Sequence, residues 1–426
     1  MLGKSLKENF RWVLMGNSIY AACQWACIIV LARLGDSSLV GQFALALAIA
    51  TPVYMFTNLH LRTVLATDSK SEHDFSHYLY LRILTLVGSV LIISIISIIF
   101  LDSTHAAVTS IVAVGKGFEY LSDIMYGNWQ RLEQMRGIAI SMMIRGILSL
   151  LGLLVGLVVT NDMIYAVLGF VLGSLLPIIT YDFFHNKALS QSNFCCRNIL
   201  VGVSISIKQG IAKKIVILAL PLGLVVMLIS LQVNVPRYFI QFNYGDELLG
   251  VFSALCYPLM LGSILVNALG QSATPRLSRF YSTGDIHGYQ SLTKKLAKIG
   301  VLLGVLSLIL IWFVGKELLG LVYGEEYSLH SVDFMFLGVA VAIDYISSFY
   351  GNAVNATRAF RRYIVPYLIV TVFILAGSVF LIPLWGLKGA AVAIFLANLT
   401  KLFVVYGLYK NMSMLRISEI QRGASV

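Results

Sequence analysis

Long apolar runs alternate with short polar ones along almost the whole chain. Twelve stretches stand out, near 13–34, 39–61, 78–100, 104–126, 137–160, 163–184, 214–236, 247–269, 297–319, 331–352, 363–384 and 387–409. Each holds about 20 mostly apolar residues, the length a helix needs to cross a bilayer. Backbone groups in lipid must be paired within the segment or a closed barrel, and the period-2 alternation of a barrel is absent. The pattern therefore predicts an all-α polytopic membrane protein with twelve spanning helices. The first stretch follows Lys4, Lys7 and Arg11, as a signal peptide would. It is too long for a signal-peptide core and no run of small residues follows it as a cleavage site, so we read it as a retained helix.

Composition agrees. Of 426 residues, 58% are apolar and only 12% charged, where a soluble domain carries about a quarter. Charge sets the orientation. With the N-terminus in the cytoplasm, 23 of the 31 Lys and Arg fall in cytoplasmic segments and 4 (Arg33, Arg237, Lys316 and Lys388) in external loops. That asymmetry fits the positive-inside rule, and an even number of spans places the C-terminus in the cytoplasm as well. The net charge of +11 is then explained by loops facing anionic lipid, not by nucleic acid. The cysteines, among them Cys195 and Cys196, form no C-x-x-C pair. His73, Asp74 and His77 sit together in a short loop and read as incidental, so no metal is expected. No P-loop, G-x-S-x-G, H-E-x-x-H or D-x-D pattern occurs, which argues against an ATPase, hydrolase or glycosyl polymerase. No enzymatic activity and no cofactor are expected.

The chain repeats itself. Gly41 and Phe43 open one stretch that closes near Asn58; Gly250 and Phe252 open another that closes near Asn267. Each follows a Gly-Asp pair (Gly35-Asp36, Gly245-Asp246) and contains a proline (Pro52, Pro258). F-E-Y-L-S-D-I-M-Y-G-N at 118–128 likewise aligns with I-D-Y-I-S-S-F-Y-G-N at 343–352. These matches predict two homologous six-helix halves, 1–184 and 214–410. A cytoplasmic linker (185–213) joins them, part of which reads as an interfacial amphipathic helix, and 411–426 form a cytoplasmic tail. Both Tyr-Gly-Asn sequences, 126–128 and 350–352, predict helix termination.

The chemistry is expected where charges interrupt the apolar runs. At 100° per residue Lys116, Glu119 and Asp123 share one helix face. A charge near mid-bilayer costs at least ~2.5–3.5 kcal/mol, so that face should turn to protein or to water. Two readings stay open: an internal Lys116–Glu119 ion pair, or a hydrated cavity. Asp344 supports the second, having no evident local cation. Arg145 and Lys401 are further candidate cavity cations, with Arg62 beside His60, and Arg82, whose long side chain could instead reach the cytoplasmic surface. Such a cavity would attract anionic substrates. Glu119, Asp123 and Asp344 are candidate sites for a coupling proton or sodium ion. Pro52, Pro177, Pro221 and Pro258 read either as static kinks or as hinges.

The runs G-N-S-I-Y-A-A-C-Q-W-A-C-I-I-V-L-A-R-L-G (16–35), V-G-Q-F-A-L-A-L-A-I-A-T-P-V (40–53) and N-L-H-L-R-T-V-L-A-T-D (58–68) resemble the start of bacterial O-antigen and capsule flippases. These are Wzx-type members of the multidrug/oligosaccharidyl-lipid/polysaccharide exporter superfamily. The resemblance is carried by about the first 140 residues and then by the span plan. It implies a V-shaped exporter fold of two pseudo-symmetric six-helix lobes in the bacterial inner membrane. It also implies transfer of undecaprenyl-pyrophosphate-linked oligosaccharide to the periplasmic leaflet by alternating access through a cationic cavity. A polysaccharide polymerase and a chain-length regulator would be its protein partners. The family has no strict signature, so no residue role is carried over. Rival readings are a drug or cation antiporter of the same superfamily, a flippase for the cell-wall precursor (normally with two more spans), and a membrane polymerase.

Overall fold

A computed structural model describes residues 6–59, 61, 62, 65, 75–132, 134–185, 210–357, 362 and 364–423. All regular elements among them are helical. The first set is α1 (Leu6–Leu34), α2 (Ser37–Thr57), α3 (Phe75–Phe100), α4 (Ser103–Arg131), α5 (Met135–Thr160) and α6 (Met163–Pro177). A π-helical turn, Ile178–Asp182, and one helical turn, Phe183–His185, prolong α6. The second set is α7 (Ile211–Thr283), α8 (Ile286–Val322), a single turn at Glu325–Ser328, α9 (Ser331–Ala356) and α10 (Ile364–Gly423). The chain is a multi-pass helical membrane protein.

Nine helices among the described residues are long and apolar enough to cross a membrane. Two of the nine, with 61 and 55 residues, would run about 90 and 80 Å if straight, far more than the ~30 Å hydrocarbon core. Each is broken by one glycine. Gly245 in α7 has φ 78° and Gly386 in α10 has φ 55°, a left-handed geometry that suits a residue without Cβ. α4, with 29 residues, is long enough but less apolar than the nine. The two glycine-broken helices and α4 are where these nine differ from the twelve stretches of the sequence reading.

The break at Gly245 moves one expected position. Arg237 was expected in an external loop. The helix instead continues through the polar residues after 236, and Arg237 lies two turns inside the first arm of α7.

Local chemistry explains the helix starts. Asp36, Asp102 and Asp162 cap α2, α4 and α6, each accepting from a backbone N–H of the first turn. Their negative charge also complements the helix dipole. Desolvation pushes the Asp102 carboxyl up, but the backbone N–H groups of His105 and Thr104 and the His105 ring outweigh it and hold it below its ordinary range.

Between spans there is no hydrophobic drive, so close packing of small residues takes over. Gly152 and Gly156 on α5 lie against Gly169 and Tyr165 on α6 so closely that a Cβ on any of these glycines would strike opposing backbone; Gly173 meets Leu148 in the same way. Gly300 and Gly304 play this part between α8 and α9, against Ile346 and Ala342.

The chain divides into two compact units, Met1–Ser230 and Leu231–Val426. The first stretch of α7 packs with the first unit: Gly223 faces Phe56 and Leu59, and Val216 joins a core of Leu59, Leu61, Leu65, Tyr78 and Ile124. Residues 186–209, which hold most of the expected linker with Cys195, Cys196 and Lys208, lie outside the described residues, as do His60, His73 and Asp74.

One expectation needs correction. The Tyr-Gly-Asn sequences do not end helices: α4 runs to Arg131 and α9 to Ala356. Gly127 is required for thinness, since a Cβ there would sit 3.1 Å from the Arg62 carbonyl oxygen and 3.2 Å from its Cα. The prolines lie inside helices. Pro52 is buried within α2, and Gly245 alone has non-helical φ/ψ inside α7, so Pro221 and Pro258 lie on continuous arms. Pro177 stands where α6 passes into its π turn.

Candidate functional site

In the first unit α4 carries the chemistry. Lys116 and Glu119, one turn apart, pair at 2.7 Å, and the Tyr20 hydroxyl of α1 also hydrogen-bonds Glu119. The ion-pair reading of this stretch is thus present. The pair is not fully enclosed by protein, since 30% of the Glu119 side chain remains accessible.

One turn further, Asp123 stands between two arginines. Arg62 Nη1 donates to Asp123 Oδ1 at 3.0 Å, and Arg62 Nε donates to Gln130 Oε1 at 3.0 Å. The Arg62 guanidinium also lies 5.6 Å from the centre of the Tyr126 ring, within cation–π range. Arg82 Nη2 approaches Asp123 Oδ2 at 3.9 Å and donates to Asn58 Oδ1. Its side chain is 2% exposed, so it does not reach a surface; it folds inward onto α2 and α4.

Arg145 was expected to line a cavity. It is instead the centre of a buried network. Its Nη2 lies 3.2 Å from Asp182 Oδ2, with the two side chains 2% and 0% exposed. Ser122 of α4 bridges them, donating to Asp182 and accepting from Arg145. The Arg145 guanidinium lies 5.9 Å from the centre of the Tyr126 ring, whose hydroxyl meets Ser141 Oγ at 2.7 Å. Asp182 was not foreseen. It closes the π turn after Pro177, and such a turn shifts the side-chain register of the helix, here bringing the carboxylate onto Arg145.

In the second unit Lys401 Nζ lies 2.7 Å from Asp344 Oδ1, and Ser347 donates to the same oxygen at 3.1 Å. This corrects the expectation that Asp344 lacks a cation. The repeat alignment matches Glu119 with Asp344, and both hold a lysine at 2.7 Å. Arg237 has no carboxylate within 4 Å among the described residues. It donates to Asn234 Oδ1 at 2.6 Å, and its Nε is buried without a partner.

The five expected cations, Lys116, Arg145, Lys401, Arg62 and Arg82, therefore meet four carboxylates, Glu119, Asp123, Asp182 and Asp344. Their positive excess is one charge, where the sequence reading, without Asp182, left two. The pairs differ in access. Arg145–Asp182 is sealed, whereas Arg62, Glu119 and Asp344 are 33%, 30% and 28% exposed. Ionised groups on spanning segments are too costly against acyl chains, and each of these open side chains keeps a partner of opposite charge. Among the described residues no cluster of His, Cys, Asp and Glu could hold a metal ion.

Comparison with known proteins follows the same line. A capsular polysaccharide biosynthesis protein of Staphylococcus aureus, CapF, is 29% identical over 407 residues, covering 95% of this chain and 99% of the relative. A multidrug resistance MATE family transporter of the MOP superfamily, in an inward-facing conformation, matches 95% of this chain and 99% of its own, with a TM-score of 0.69 at 14% identity. The lipid II flippase MurJ, in an inward closed conformation, matches 95% and 90%, with a TM-score of 0.67 at 12% identity. At these identities the structural likeness is one of fold. Residues 6–281, well over half of the chain, match the model of a family described as polysaccharide biosynthesis protein, and the chain belongs to that family.

Proposed function

We propose that the chain is a flippase for undecaprenyl-pyrophosphate-linked oligosaccharide repeat units, moving them from the cytoplasmic to the outward-facing leaflet of the bacterial cell membrane. The observation that carries this reading is Arg62. It is a partly open arginine just past the end of the spanning helix α2, aimed by Tyr126 and Gln130, in a chain that matches a capsular polysaccharide biosynthesis protein end to end. An arginine fork suits phosphate oxygens. The glycan crosses within protein by alternating access while the lipid tail stays in the bilayer. No covalent step is involved and no cofactor is needed. A proton or sodium ion is the candidate driving ion, with Asp344, Glu119 and Asp123 as candidate sites, and both termini lie in the cytoplasm. A polymerase and chain-length regulator would receive the product. Likeness to CapF favours capsule over O-antigen as the destination.

The test is a deletion strain scored for surface polysaccharide and for the leaflet in which lipid-linked repeat units collect. Loss of capsule with units trapped on the cytoplasmic side supports the reading. Intact capsule with lost drug efflux would transfer the chain to the antiporter reading.

A further inference from the structure

Asp123 is placed unequally between its arginines. The short contact, 3.0 Å, is to Arg62, whose side chain is 33% exposed; the long one, 3.9 Å, is to Arg82, which is 2% exposed. Arg82 is underused. Its Nε is buried and has no hydrogen-bond partner, a costly state for a charged donor. Arg62 has two further anchors, Gln130 and the Tyr126 ring, so it keeps its aim without Asp123. A carboxylate leaving Arg62 thus has a cation waiting 3.9 Å away, and the vacated Arg62 Nη1 can receive another oxyanion.

We propose that Asp123 is a built-in competitor for the substrate's phosphate at Arg62. It yields that arginine to the phosphate on loading, moves onto Arg82, and returns to Arg62 to expel the phosphate on release. This rests on the flippase reading above and adds a device for release. An arginine that grips pyrophosphate unopposed through charge-assisted, forked hydrogen bonds releases it slowly. A carboxylate closing behind the departing phosphate also means that neither arginine is left with an uncompensated charge, which in a buried setting is the expensive outcome. The exchange is of hydrogen bonds alone; no proton or covalent bond changes hands.

The experiment is equilibrium binding of undecaprenyl pyrophosphate, with undecaprenol as the uncharged control, to the purified full chain in nanodiscs. The expected result is that Asp123→Asn binds undecaprenyl pyrophosphate roughly tenfold more tightly than the unmodified chain, the loss of one charge-assisted competitor, while its export of polysaccharide falls. A merely structural carboxylate would give weaker or equal binding. If Asp123→Asn binds no more tightly while the unmodified chain binds the pyrophosphate and not undecaprenol, the competitor role is overturned and the flippase reading stands. If the unmodified chain does not distinguish the two lipids, the flippase reading falls and takes this inference with it. A structure of the unmodified chain with undecaprenyl pyrophosphate decides the matter if the variant does not fold. Phosphate on Arg62 with Asp123 moved to Arg82 supports the exchange; an Arg62–Asp123 contact still at 3.0 Å overturns it.

Discussion

Lys401 on α10 places its Nζ 2.7 Å from Oδ1 of Asp344 on α9, across 57 residues of sequence. Glu119, the repeat counterpart of Asp344, takes its lysine from one turn away on its own helix. The two units thus neutralise aligned carboxylates by different routes. The second route ties two helices together, which the first does not.

That tie predicts a coupling energy. The pair is partly accessible, at 16% and 28%, so its worth lies between that of a surface bridge and a sealed one. Lys401→Ala and Asp344→Ala should each lower stability in detergent by about 1–2 kcal/mol, and the double variant by less than the sum. A thermal-unfolding double-mutant cycle measures this; strictly additive losses would show that the contact carries no energy. Export should fall further in Asp344→Ala than its protein level does.

Arg145 and Asp182 should behave as structure. Removing either partner of a sealed pair costs about 3–5 kcal/mol, so Arg145→Ala should deplete the protein from the membrane. The isosteric but uncharged double variant Arg145→Met, Asp182→Leu should restore much of the level. Immunoblots of membrane fractions give the answer, and normal abundance of Arg145→Ala would refute the role.

Arg62 should behave as function. Its side chain is a third exposed, so Arg62→Gln should reach the membrane at near-normal level. It should bind undecaprenyl pyrophosphate at least roughly tenfold more weakly and export little polysaccharide. Binding unchanged from that of the unmodified chain would remove Arg62 from the site.

The two Tyr-Gly-Asn glycines should respond oppositely to alanine. A Cβ at Gly351 meets nothing within 4 Å, and alanine in a helix interior gains about 0.5–1 kcal/mol over glycine. A Cβ at Gly127 would press on the Arg62 backbone at 3.1–3.2 Å, so Gly127→Ala should destabilise and displace Arg62. Melting temperatures that move the same way in both would contradict the packing account.

Much of this was readable before any fold was known, and the omissions have physical causes. The active face of α4 announced itself because Lys116, Glu119 and Asp123 interrupt an apolar run at helical spacing. The Lys401–Asp344 contact could not, since local spacing carries no record of which helices adjoin. Asp182 was hidden by the π turn that re-aims it. Arg237 was misplaced because the apolar pattern ends near 236 while the helix continues to Gly245, where a left-handed glycine (φ 78°) makes the bend. Gly127 was taken as a stop signal because glycine's two uses, ending a helix and letting backbones touch, look alike in one dimension. The glycines of α5 and α6, 152 with 156 and 169 with 173, go unread in the sequence, because a four-residue spacing says nothing of the helix that faces it.

The bends at Gly245 and Gly386 have a consequence for biosynthesis. Each joins two arms at a single residue of left-handed φ, so the turn between the arms rests on that residue. Insertion of the second arm of α7, and of α10, thus depends on one residue taking up a left-handed turn in the nascent chain, which a residue with a Cβ does only at a cost.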